Sequence, residues 1–160
     1  MVLSALVAEI PVGPVLVKML RANDNVVSHF DAHGFEPDSL AEWARICADG
    51  GTILDIGSYT GIYAIAAAKL GCHAIAFEPL ARNRVRVKEN CQLNSIEVEL
   101  RPEAVAARSS VKEFFFDGRL RFTGGGSLMR LMAHTASAKI PTITVDELEL
   151  PSVAAIKIDV

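Results

Sequence analysis

Residues 54–64 read LDIGSYTGIYA: an apolar run carrying Asp55 passes through Gly57 and Gly61 into an alanine-rich stretch. Short apolar runs that end in a glycine turn and restart as a helix are the building unit of a parallel sheet. The pattern predicts a buried strand over Thr52 to Ile56 and a helix from Gly61 to Leu70, closed by Gly71. In such a sheet, ligands bind at the carboxyl ends of the strands, which places residues 55–61 at the candidate crevice. Glycine at 57 allows a close main-chain approach, and glycine at 61 leaves room where the helix begins. The free N–H groups of that first turn, with the positive end of the helix dipole, are expected to favour a negative ligand group.

Working outward, His73 to Phe77 reads as a second strand, Leu80 to Asn94 as a second helix and Ile96 to Leu100 as a third strand. The alternation predicts an α/β fold, a mostly parallel sheet with helices on both faces. Upstream, Ser39 and Glu42 have the spacing of a capping box, and Leu40, Trp43, Ala44 and Cys47 share one helical face before Gly50-Gly51 ends the helix. Residues 1–49 are therefore read as an N-terminal helical segment, helical in part between Val15 and Phe30, and residues 50–160 as the main domain. After Arg101 the rhythm changes. Val111 to Phe116 and Lys139 to Val145 read as strands of a β-excursion joined by a Gly- and Ser-rich connection. Thr144 and Glu147 then offer a second capping box for a short helix, and Val153 to Val160 reads as a fourth core strand.

A chain of 160 residues with 51% hydrophobic content buries one sizeable core. A formal net charge of -3 provides no long-range attraction to phosphate backbones or anionic lipid, so a small-molecule partner is expected rather than nucleic acid or a membrane. Glu9, Pro11, Gly13, Pro14 and Lys18 interrupt the apolar beginning, which reads as neither a secretory signal nor a membrane span. Three cysteines with no C-x-x-C pair suit reduced thiols, and a cytoplasmic setting is expected. His29 and His33 share a helical face without a constellation to complete a metal site. Arg82, Arg84, Arg86 and Lys88 read as a solvated basic face.

Glu78 sharpens the ligand. It follows the run AIAF at the tip of the second strand, where nucleotide-binding folds place an acid that accepts hydrogen bonds from ribose hydroxyls, and Pro79 fixes the turn behind it. The dinucleotide pattern G-x-G-x-x-G fails, because alignment on Gly57 puts Tyr59 and Ile62 where glycines belong, and no phosphate-binding G-x-x-x-x-G-K-[ST] occurs. What remains is D-x-G-x-x-x-G, formed by Asp55, Gly57 and Gly61, with a carboxylate suited to a cationic or amino-bearing ligand.

In their joint order, ILDIGSYTGIYAIAAAKLG, AFEPLARNRVRVKENCQLN and AIKIDV resemble successive motifs of the FkbM-type S-adenosylmethionine-dependent methyltransferases, over about residues 50–160. The resemblance implies a Rossmann-like class I methyltransferase fold, S-adenosyl-L-methionine as cofactor and O-methyl transfer to a small hydroxylated acceptor. By the same resemblance Asp55, Gly57, Ser58, Tyr59 and Gly61 form the cofactor loop. Glu78 and Pro79 hold the ribose, Glu103 and Ala104 line the adenine pocket, and Gly124 to Leu128 (GGGSL) belongs to the excursion. Asn90 and Asn94 match recurring asparagines whose other reading is capping and local packing. Asp159, ending the fourth strand, is the candidate catalytic base or substrate-side residue. The family's pattern continues beyond IKIDV into further strands, so a sheet truncated after its fourth strand is expected, its edge covered in a homo-oligomer or left free in a noncatalytic fragment.

Overall fold

The computed structural model describes residues 6–122 and 124–159. The described chain opens with an antiparallel hairpin, β1 (Val7–Val12) and β2 (Val15–Leu20), where sequence pattern suggested helix from Val15 onward. Its two-residue turn is Gly13-Pro14, with Gly13 at φ 55, a geometry that matches the right-handed twist of paired strands. Pro11 is tolerated because β1 is an edge strand and needs no outward donor. Ala8, Ile10, Val12, Val17 and Met19 alternate inward and are buried, each of the larger ones contributing roughly 1.5–3 kcal/mol.

Helix α1 (Asn25–His33) starts at Asp24, whose Oδ1 accepts from the Val26 amide at 2.9 Å. Helix α2 (Pro37–Cys47) carries proline in its first turn. The predicted capping box does not form: Glu36 holds the cap position, Ser39 lies inside the helix, and Glu42 pairs with Arg45. The expected face of Leu40, Trp43, Ala44 and Cys47 is buried.

The following units match the sequence pattern closely: β3 (Thr52–Ile56), α3 (Ile62–Lys69), β4 (His73–Phe77) and α4 (Ala81–Asn94); the third strand, β5 (Glu99–Arg101), begins three residues later than the expected Ile96. The excursion contains β6 (Ala104–Val105), β7 (Ser110–Phe116) and β8 (Ala136–Ile143), which form a separate three-stranded sheet ordered β6-β8-β7. Thr144 and Glu147 make the expected reciprocal cap, at 3.2 Å and 2.9 Å, on a single 3₁₀ turn, Asp146–Leu148. Strand β9 (Ala155–Ile158) then pairs in parallel with β3, giving the core order β5-β4-β3-β9. The final position of the expected strand, Val160, lies outside the described residues. Ile156 and Ile158 on β9 are exposed.

Strand alternation sorts the core. Ile53, Ala74 and Ala76 pack with α2, α3 and the hairpin, whereas Leu54, Ile56, Ile75 and Phe77 pack under Val105, Ile143, Val145 and Leu148. Among the described residues, helices therefore line one face of the parallel sheet, and the excursion with its 3₁₀ turn covers the other. The sheet is α/β and parallel as expected, with the helices on one side only.

Helix α4 buries a mainly polar stripe, Asn83, Arg86, Asn90 and Asn94, with Val87 as its one fully buried apolar residue. Asn94 accepts from the Lys18 amide (2.9 Å) and donates to the Lys18 carbonyl (2.7 Å), while Asn90 accepts from the Leu20 amide (3.0 Å) and donates to the Thr60 carbonyl (2.9 Å). These two side chains supply the outer edge of β2 with the partners a further strand would give. Arg86 donates to the Leu20 carbonyl, lies 4.0 Å from the buried carboxylate of Asp24, and stacks on Phe122. Arg84 donates to the carbonyls of Glu78 and Pro79, and Arg82 to that of Asp117. The expected solvated basic face is thus corrected: three of its four members bind backbone carbonyls, and Lys88 is exposed.

Candidate functional site

At the tips of β3 and β4 a cavity of about 260 Å³ opens toward the excursion. The strand tips contribute Ile56, Gly57 and Phe77; the β4–α4 connection contributes Glu78, Pro79 and Leu80; and the stretch after β5 contributes Glu103, Ala104 and Val105. Phe114 of β7 and the segment containing Gly124, Gly126, Ser127, Leu128 and Met129 close it from above, with Tyr59 and Asp159 also on the wall. Among the described residues the lining is apolar apart from the carboxylates of Glu78, Glu103 and Asp159 and the hydroxyl-bearing Tyr59 and Ser127, and it holds no lysine, arginine or histidine. The volume lies just below the ~300–1,000 Å³ usual for small-molecule pockets.

Of the residues singled out from sequence, Gly57, Tyr59, Glu78, Pro79, Glu103, Ala104 and Asp159 come together on this wall, and Asp55, Ser58 and Gly61 do not. Asp55 is the main correction. It shares the side of β3 that carries Ile53, so its carboxylate turns toward α3, and its Oδ2 accepts from the Ala64 amide at 3.0 Å. Burial pushes its pKa up to about 6, against the opposing pull of Lys157 and the Ala64 amide. Asp55 anchors the start of α3; it does not share a hollow with Glu78. Ser58 is buried behind the loop. Gly61 sits at φ 92, and a Cβ there would lie 3.0 Å from Val87 Cγ1, so its glycine serves the close approach of α3 to α4.

The loop amides are also spent internally, against the expectation that they face a ligand anion. Gly57 and Ser58 both donate to the Phe77 carbonyl at 3.0 Å, Gly61 to the Ser58 carbonyl at 2.7 Å, and Tyr59 to Glu78 Oε2 at 3.0 Å. These bonds tie the glycine turn to β4 and hold Tyr59 at φ 51, a left-handed conformation costing a bulky residue about 1–3 kcal/mol. The Tyr59 hydroxyl accepts from the Asn25 amide at 3.2 Å, so α1 supports the turn from outside. Burial pushes the Tyr59 phenol up to about 12.

Glu78 is 4% exposed. Its Oε1 accepts from the Leu80 amide at 2.8 Å and its Oε2 from Tyr59. Burial pushes its pKa up to about 7, opposed by the Leu80 amide, the Asn83 side chain, the Tyr59 amide and Arg84. With the Tyr59 and Leu80 amides and the Asn83 side chain as donors, the two carboxylate oxygens still keep acceptor capacity in reserve. Glu103 is held by Arg101, whose guanidinium spans both its oxygens and lowers its pKa. Asp159, 70% exposed at the mouth, pairs with Lys157 at 3.2 Å.

Sequence reasoning missed the apolar walls formed by Ile56, Phe77, Leu80, Val105, Phe114 and Met129. The period-two alternation of β3 and β4, with Ile56 and Phe77 on the face opposite the helices, carried that signal. The GGGSL segment does reach the cavity. A Cβ on Gly124 would meet the Tyr59 ring at 3.7 Å, and one on Gly126 would overlap Phe114 at 2.4 Å. Among the described residues no group of three or more His, Cys, Asp or Glu is placed to hold a metal ion, and no helix is long and apolar enough to cross a membrane. Cys47, Cys72 and Cys91 are free thiols.

No protein-family model matches the sequence. No curated protein matches it. A solved structure of a SAM-dependent methyltransferase from Agrobacterium tumefaciens is similar with a TM-score of 0.39 and 19% identity, over 44% of this chain and 27% of that one. The chain thus spans little more than a quarter of that protein's length.

Proposed function

We propose that the cavity at the tips of β3 and β4 binds the adenosyl part of S-adenosyl-L-methionine, and that the chain serves methyl transfer to a small hydroxylated acceptor. The observation that carries this reading is Glu78: a buried carboxylate with acceptor capacity in reserve, at the tip of a parallel strand, on the wall of a largely apolar cavity whose described lining holds no basic residue. Such a wall disfavours phosphates and suits a ligand with paired hydroxyls, a flat apolar ring and a positive centre. The reading rests on Glu78 and the cavity, without Asp55 and without the loop amides. The motif order that resembles the FkbM-type methyltransferases supports the finer assignment.

When bound, the cofactor supplies an electrophilic sulfonium methyl. Glu78 accepts hydrogen bonds from the ribose hydroxyls, and its two amide partners keep the carboxylate from rotating away. Phe77, Val105, Phe114 and Leu128 line the cavity and would exclude water from a ligand held there. Asp159 at the mouth is the group available to take a proton from an acceptor hydroxyl, with Lys157 orienting it. Positioning then supplies most of the rate.

A second reading, cofactor binding without transfer, is favoured by the exposure of Asp159, since a base in bulk water gains little from its protein surroundings. Calorimetry with S-adenosylhomocysteine tests the shared core of both readings. Binding to the wild type, weakened by roughly 1.5–3 kcal/mol in Glu78→Ala, is expected for loss of hydrogen bonds to a charged acceptor. Equal affinity in the two proteins removes Glu78 from the site. Methyl transfer to hydroxylated acceptors, measured with wild type and Asp159→Asn, separates the two readings.

A further inference from the structure

We propose that Tyr63 is a positioning residue for the mouth of the cavity: its ring seats the Lys157 ammonium, and Lys157 in turn holds Asp159. The inference rests on the role given above to Asp159, which lines the cavity where it opens. Strand register brings the parts together. Lys157 is the neighbour of Asp55 across the β3–β9 pair, so both stand on the face of the sheet that carries α3. Tyr63, the second residue of α3, meets them there, with the Lys157 Nζ 4.7 Å from its ring centroid, within the range of a cation–π contact. The same Nζ lies 3.2 Å from Asp159 Oδ2.

Helix α2 holds the ring from behind. Tyr63 is buried, Trp43 packs edge-on to it with centroids 5.6 Å apart, and the Trp43 indole N–H donates to the Tyr63 carbonyl at 3.0 Å. The Tyr63 hydroxyl donates to Glu36, which caps α2. An exposed ion pair is weak largely because two flexible side chains must be ordered together. Here Lys157 is already ordered by the ring beneath it and by the charge of Asp55, so that Asp159, although mostly exposed, meets a fixed partner. Asp55 feels the same ammonium, which pulls its pKa down against burial, while Asp159 pushes it up. The titratable groups facing Asp55 are thus Lys157 and Asp159 on β9 and the Tyr63 phenol on α3; its neighbour on β4 is the apolar Ala76.

The test uses the ligand-free protein, so it is decided apart from the cofactor reading: failure of S-adenosylhomocysteine to bind removes that reading and leaves both signals below to judge the contact. Lys157→Met keeps an unbranched apolar stem over Tyr63 and removes the cation, so the carboxyl ¹³C titration of Asp55 should move to higher pH. A nuclear Overhauser effect between the Lys157 ε-methylene and the Asp159 β-methylene is expected in the wild type. It should persist in Tyr63→Phe, which keeps the ring and gives up the Glu36 bond, and be lost in Tyr63→Leu, with urea unfolding showing that both variants fold. An Asp55 titration unmoved by Lys157→Met overturns the proposal. So does a contact between Lys157 and Asp159 that survives in Tyr63→Leu or disappears in Tyr63→Phe.

Discussion

Replacing Glu78 by glutamine separates the two forces acting on this carboxylate, burial and amide donation. Burial dominates, so the native protein holds the Glu78 proton up to about pH 7, whereas the unfolded chain releases it near 4.5. Between those values the native state binds more protons, and stability falls as pH rises through the window. The span corresponds to about 3 kcal/mol lost by pH 8. Glutamine does not titrate, but its NH₂ must face one of the two backbone donors, Tyr59 or Leu80, at a cost of about 1–3 kcal/mol. Glu78→Gln is therefore expected to be less stable than wild type at pH 4.5 and to close or reverse that gap by pH 8. Urea denaturation of both proteins across this range measures the difference, in which the similar, lower-lying contribution of Asp55 cancels. A difference independent of pH, or a mutant that loses ground as pH rises, would show that the amide donors outweigh burial and refute the reasoning. The same logic extends to the ligand: hydroxyl donors stabilise the ionised form, so S-adenosylhomocysteine should bind more tightly as pH rises toward 7.

Gly61→Ala places a Cβ 3.0 Å from Val87 at φ 92 and should destabilise by about 1–3 kcal/mol in thermal or urea unfolding, partly rescued by adding Val87→Ala. Asn94→Ala removes both partners of the Lys18 backbone and should cost about 1–3 kcal/mol, with hydrogen exchange quickening along β2 while the cavity residues keep their NMR shifts.

Strands β3 and β4 were legible because each is a short apolar run bounded by glycine or proline, and a strand buried on both faces leaves few other readings for such a run. Glu78 was legible for the same reason: it is the first polar residue after a fully apolar strand. The hairpin was not, because Gly13, Pro14 and Pro11 read as interruptions when they are a turn and an edge proline; the alternation of Ala8, Ile10 and Val12 carried the better signal. Helix α4 misled in another way. Its buried stripe is polar because it faces the open edge of β2 and the carbonyls at the strand tips, and no hydrophobic period records a surface of that kind. Asp55 was misplaced because motif position took precedence over strand parity: with Ile53 facing α3, Asp55 must face it too.

The most direct test of the cavity assignment is a ¹⁵N-resolved titration of the wild-type protein with S-adenosylhomocysteine. Saturable shifts are expected at Gly57, Tyr59, Leu80, Ala104 and Gly126, with Lys18 and Glu9 on the hairpin's outer face unmoved. No saturable change, or changes that bypass Gly57 and Ala104, would contradict the account.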